Sequence, residues 1–201
     1  MSTNVINTIN TKYVLMRPVS YIEVGSEEWP LVLLALDNYS PIRGTARFHM
    51  ICCLYHYLGY KYEGLICGPF SYELDNALRR LNEEYLIRIR MGINSFRTPV
   101  KVYELTEAGK IRANRIIAKI RRNNILLEKI VIRRGSEVLS ELEAIKKTYK
   151  DKPLLFILNR ILKLYEGESY PYWIKVSKGD VKSYIKNVRD EVTYILSKTI
   201  F

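Results

Sequence analysis

CGPFSYELDNALRRLNEEYLIRIR, residues 67–90, changes its period half-way. Ser71 is a helix-capping type, and Glu73 and Asp75 follow it, where acids favour the positive end of a helix. Leu74, Leu78 and Leu81 fall at i, i+4 and i+7, so the spacing predicts a helix over 72–84 with one buried face. From Leu86 the period drops towards two through Ile87, Arg88, Ile89, Arg90 and Met91. Gly92, Asn94, Ser95 and Pro99 mark a loop, and Val100 to Leu105 alternate again, which reads as a β-hairpin. Thr106 and Glu107 then open another helix.

Upstream, residues 1–25 read as an arm or a short strand at Tyr13–Met16 or Ser20–Val24. Ser26 is a fair N-cap for a buried helix from Trp29 to about Asn38, with Pro30 in its tolerant first turn. NYSPIRGT is a turn, Thr45 can cap a helix over 46–58, and Gly59 stops it. Residues 60–66 read as strand or coil, and CGPFS as a second turn. Downstream, the helix from 107 is expected to run to about 134. Helices are expected at Glu137–Tyr149, Pro153–Glu166 and Asp180–Lys198, the last two joined by an aromatic-rich loop. The expected class is mainly α with a β-hairpin (α+β), divided as an arm (1–25), a helix-and-hairpin domain (26–106), a long basic linking or dimerisation helix (107–134) and a helical C-terminal region (135–201).

The formal net charge of +11 points to a polyanion, either nucleic acid or an anionic membrane surface. Residues 110–134 hold nine bases against one acid, Glu128. A solvated helix interleaves acids, and this one does not, which favours an anionic contact by Arg112, Arg115, Lys119, Arg121 and Arg122. The alternative is a dimerisation helix whose bases solvate its outer face. A membrane-surface helix would want Trp or Phe anchors, which the segment lacks.

No apolar run reaches the roughly 18 residues of a membrane span, and MSTNVINTINTKY has no signal-peptide pattern, so a cytoplasmic protein without membrane contact is expected. Cys52, Cys53 and Cys67 fit neither a disulfide framework nor a CxxC knuckle. His49, Cys52, Cys53 and His56 share one helical face and could build a metal or redox site. Small thiols on a core-facing stripe are the simpler reading, so no metal or cofactor is expected. Walker, GxGxxG and HExxH motifs are absent, and both histidines lie on one apolar helix, so an enzyme is not expected.

Three helices followed by a two-stranded wing is the winged form of the helix-turn-helix. The phrases PIRGTARFHMICCLYHYL (41–58), GPFSYELDNALRRLNEEYLI (68–87) and VYELTEAGK (102–110) resemble the archaeal and bacterial winged-helix proteins of the YwgA-like group and, more distantly, the PadR and MarR regulators. The resemblance rests on Gly68, Pro69, Phe70 and Ser71, on Leu74, Leu78, Leu81, Leu86 and Ile87, and on Tyr103, Leu105, Thr106 and Gly109. It covers about residues 30–110. The apolar second helix departs from the group, which usually carries a base there.

The resemblance implies a DNA-binding fold. In it, Tyr72, Asn76, Arg79 and Arg80 are the candidates for base contacts, against the reading that they are simply a solvated helix face. Arg88, Arg90, Arg97 and Lys101 on the wing, with Asn94 and Ser95 at its tip, are candidate phosphate or minor-groove contacts, against ordinary edge protection. The expected function is a homodimeric transcription regulator on double-stranded DNA. The alternatives are a protein-interaction module, with Tyr170, Tyr172 and Trp173 as an exposed anchor in the C-terminal region, and a sequence-nonspecific chromatin or replication accessory factor.

Overall fold

The computed structural model describes residues 20–65, 68–93, 97–165 and 174–175. The arm to residue 19, Cys67, the wing-tip residues Asn94 and Ser95, the anchor Tyr170, Tyr172 and Trp173, and the helix expected at 180–198 lie outside the described residues. The class is α+β, with six α-helices and three small sheets among the described residues. No helix there is long and apolar enough to cross a membrane.

Helix α1 (Trp29–Tyr39) is the centre of the fold. Every residue from Trp29 to Leu36 is buried, as its unbroken apolar run requires. The run packs against α3 (Tyr72–Glu83), α4 (Glu107–Arg122) and α5 (Gly135–Tyr149). Ser26 does not cap it. A turn over 26–28 leads into the helix, and Glu28 folds back so that its Oε2 accepts from the Gly25 N–H at 3.2 Å. The helical path ends at Leu36. Asp37, Asn38 and Tyr39 follow with φ of 58°, 54° and 58°, a left-handed run of three residues with side chains.

Strand β2 (Ile42–Arg43) leads to α2 (Thr45–Leu54), a 3-10 turn (His56–Leu58) and Gly59 in the left-handed conformation. The second helix is thus shorter than the sequence suggests. Thr45 is its first residue, not its cap, and its hydroxyl bonds the Tyr103 hydroxyl at 2.8 Å. Strands β3 (Tyr62–Leu65) and β4 (Gly68–Phe70) pair antiparallel before α3, so the expected turn at Gly68–Phe70 is a strand.

Strands β5 (Ile87–Ile93) and β6 (Pro99–Leu105) pair from Ile87–Leu105 out to Ile93–Pro99, and β2 adds to β6 to give the order β2-β6-β5. Ile42, Ile87, Tyr103 and Leu105 turn one face of this sheet to the core. Phe48 of α2 meets the Tyr103 ring edge-on at 5.2 Å.

The basic helix expected over 107–134 is two different elements. Helix α4 stops at Arg122, Asn123 takes an extended conformation, and the chain turns into the hairpin β7 (Asn124–Leu127) and β8 (Val131–Arg134). The reversal uses Glu128 and Lys129, both at positive φ. The hairpin returns Gly135 to the end of α4, where its N–H donates to the Asn123 carbonyl at 3.0 Å and a Cβ would lie 1.9 Å from the Ile120 carbonyl oxygen. Strand β1 (Tyr21–Ile22) joins β7 in parallel.

The expected C-terminal helices exist as α5 and α6 (Leu154–Tyr165). Val138, Leu139 and Leu142 of the first, and Ile157, Ile161 and Leu162 of the second, join the core built by α1 and α2. A short strand β9 (Ile174–Lys175) pairs with β3.

Candidate nucleic-acid interface

Helix α3 starts where the sequence places it, because two groups hold its first turn. Ser71 Oγ accepts from the Leu74 N–H at 3.3 Å, and the Ser71 N–H donates to His49 Nδ1 at 3.0 Å. His49 is fully buried and stacks on Phe70, with ring centroids 4.4 Å apart. Burial holds its imidazole down at about 4, with Asp75 acting weakly the other way. The ring is therefore neutral, and Nδ1 already serves as an acceptor. His49 is a fixture of α3, and the metal reading of the stripe gains no support from it. Cys52 and Cys53 are buried, and burial pushes the Cys52 thiol up. Among the described residues no group of three His, Cys, Asp or Glu could hold a metal ion.

The depressed imidazole fixes a pH dependence. The unfolded chain protonates near 6.5 and the folded one near 4, so the contribution is intact above pH 6.5 and declines as pH falls to 4. The loss is about 3 kcal/mol at most. Thermal unfolding of the wild type and His49→Asn between pH 7 and 4.5 checks this. The variant should lose markedly less stability on acidification, and identical pH profiles would dismiss the assignment.

On the outer side of α3, Tyr72, Asn76, Arg79 and Arg80 are all exposed, opposite the buried Leu74, Ala77, Leu78 and Leu81. Asn76, Arg79, Arg80 and Glu83 line a shallow depression of about 310 Å³. Arg79 donates to Asn76 Oδ1 and lies 3.8 Å from Asp75, and Arg80 pairs with Glu27. These are exposed pairs worth little each, so a phosphate or base edge can displace them. The helix closes with the Leu86 N–H on the Leu81 carbonyl, which puts Tyr85 in the left-handed region at 81% exposure.

On the β5-β6 hairpin, Arg88 and Arg90 both face Glu104, at 3.8 and 3.2 Å. Arg97 and Lys101 are exposed and have no ion pair among the described residues. On α4, Arg112 pairs with Glu84 at 3.1 Å, at the end of α3. Arg115, Lys119, Arg121 and Arg122 are exposed and carry no ion pair among the described residues. Arg112, Arg115, Lys119 and Arg122 recur at i, i+3, i+7 and i+10. They form one stripe beside the buried Gly109, Ala113, Ile116 and Ile120, beginning at the end of α3. Arg121 stands apart from it. Of the bases beyond α4, Arg133 is taken up internally by a two-pronged pair with Glu141, both contacts at 2.7 Å.

The structure thus gathers Asn76, Arg79 and Arg80 around one depression, leaves Tyr72 exposed at the start of the helix, and pairs Arg112 with Glu84 at its end. It divides the hairpin cations into a pair that shares the Glu104 carboxylate and an open pair. Sequence reasoning gave no weight to Tyr85, Met91 and Ile93, whose exposures are 81%, 64% and 66%. Comparison with protein-family models, curated proteins and solved structures found no match to the chain.

Proposed function

We propose that this chain is a winged-helix protein that binds duplex DNA, as a dimeric transcription regulator. The observation that carries the reading is the succession α1, β2, α2, α3, β5, β6, interrupted by the β3-β4 hairpin between α2 and α3, with β2 adding to β6 in a β2-β6-β5 sheet. That order leaves one face of α3 and the wing free for a groove and its phosphates. The open cations of α4 and the wing are what a polyanion attracts, and they agree with the net charge of +11. Helix α3 reads base edges with Asn76, Arg79 and Arg80, and α4 with Arg97 and Lys101 anchors phosphates. Dimerisation doubles these contacts, but a single 107–134 helix is no longer its vehicle.

The acids beside Arg79 and Arg80, and the β3-β4 hairpin inserted before α3, favour a second reading in which the fold binds protein. Fluorescence anisotropy of a labelled random-sequence duplex across a salt series separates the two. About six phosphate contacts should give roughly a thousandfold loss of affinity between about 50 and 200 mM salt. Arg79→Ala with Arg80→Ala, and Arg97→Ala, should each weaken binding by about tenfold or more. Weak binding that ignores these changes would sink the DNA reading and favour a protein partner.

A further inference from the structure

Strand pairing places Met91 opposite Lys101 and Ile93 opposite Pro99 on the face that, nearer the body, carries Ile87, Ile89, Tyr103 and Leu105. Beyond the body this apolar row is uncovered: Met91 and Ile93 are about two-thirds exposed, and Pro99 and Lys101 are also exposed. Arg97 stands exposed at the same end, at φ 57°. The reverse face carries Arg88 and Arg90, which share the one carboxylate of Glu104, and the exposed Arg43 of β2. The two faces of the wing are therefore chemically unlike. One is cationic without exposed bulky aliphatic groups, and the other combines open cations with them.

Open cations alone suit a phosphate backbone. Open cations around exposed Met and Ile suit a groove floor, because aliphatic side chains gain nothing from phosphates but can part a base step. We infer that the wing enters the minor groove by its Met91–Ile93 face, wedging apolar side chains at a base step between the phosphate contacts of Arg97 and Lys101, and so bends the duplex. The occupant is duplex DNA, chosen by the charge of the two flanking cations. The inference rests on the DNA reading and adds to it the face used and the deformation. A flexible pyrimidine–purine step is the cheapest to open and should be preferred there.

The test uses the full chain and a duplex of about 20 base pairs with a dye at each end. Binding is followed by anisotropy and bending by energy transfer, for wild type, Met91→Thr with Ile93→Thr, and Arg97→Ala. The threonines keep strand propensity at exposed positions. Wild type should raise transfer on binding. The double threonine variant should bind about tenfold more weakly with an unchanged salt slope and leave transfer at the free-duplex level. Arg97→Ala should lower the salt slope by about one. Wild-type binding without a bend, or a bend that survives the threonines, overturns the wedge while leaving the DNA reading intact. Threonines that change only the sedimentation of the protein overturn it in favour of self-association. Failure of wild type to bind duplex at low salt removes the reading on which it rests.

Discussion

Replacing Gly109 by alanine is expected to cost about 4 kcal/mol or more and to leave little folded protein at 37 °C. Gly109 is buried in the first turn of α4 with an ordinary helical backbone, so backbone freedom is not the reason for glycine. The reason is proximity. A Cβ there would lie 1.8 Å from the Leu86 carbonyl oxygen and 2.8 Å from its carbon, both backbone atoms. Neither can turn aside as a flexible side chain can. Leu86 is itself fixed, because its carbonyl accepts from the Thr106 N–H and its N–H donates to Leu81. Thr106 caps α4 by accepting from the Gly109 N–H at 3.0 Å and donates its hydroxyl to the Tyr85 carbonyl at 2.7 Å. The methyl must therefore push α4 away from the base of the wing, loosening the cap and the joint with α3 together. Urea unfolding of wild type, Gly109→Ala and Ala108→Gly checks this. Ala108 is exposed one residue earlier, and its change to glycine should cost about 1 kcal/mol, as in any helix. Equal effects at the two positions would show that the close approach is not decisive.

This joint also shows what the sequence could convey. Ser71 and Thr106 announce their helices through local chemistry, and both make the capping bonds their residue types suggest. The leucine period of α3 and the alternation of the wing are legible for the same reason, since each signal lies within a few residues. The break after α4 is not. Its turn uses Glu128 and Lys129 at positive φ, where glycine or asparagine would have been the signal, and the bases continue across it. The end of α1 is hidden in the same way. Its last carbonyls, on Leu34 and Leu36, and the Asp37 carboxylate are bonded by Lys146 and Lys150, more than a hundred positions away. For the candidate site, residue type named the cations, but the placement of Glu27, Asp75, Glu84 and Glu104 separates engaged from open ones.

Lys146 is the most consequential of those distant residues, and Lys146→Ala is expected to remove about 3 kcal/mol or more at pH 7. In sequence it is one base of the run IKKTYK, but it is fully buried. Its Nζ donates to the carbonyls of Leu34 and Leu36, at 3.0 and 2.7 Å, where α1 ends. Beside it Lys150 Nζ meets Asp37 Oδ2 at 2.6 Å, and Ser40 donates to the same oxygen. Burial would raise Asp37, but the bonds from Lys150 and Ser40 outweigh it and hold the carboxyl low. Alanine gives up the buried stem, about 0.8 kcal/mol per methylene, and leaves two helix-end carbonyls without their donor. Burial also pushes the Lys146 amine down to about 7, against attraction from Asp37. Unfolded, it titrates near 10.5, so its contribution is complete above 10.5 and is lost as pH falls through 7. Stability should therefore rise by about 2 kcal/mol between pH 7 and 9 from this group alone. Lys146→Met isolates that effect, because it keeps most of the stem. At pH 7 the orphaned carbonyls and the relieved ammonium are of similar size, and the change should stay within about 2 kcal/mol. By pH 9 the ammonium cost has fallen by about 2 kcal/mol while the carbonyl cost is unchanged, so the variant should fall behind wild type by that further amount. Differential scanning calorimetry at the two pH values reads the gap directly, as about 2–4 °C for each kcal/mol in a chain of this size. A gap that is the same at both pH values would mean that Lys146 keeps its charge throughout, held by the helix-end carbonyls and Asp37 against the desolvation that lowers it.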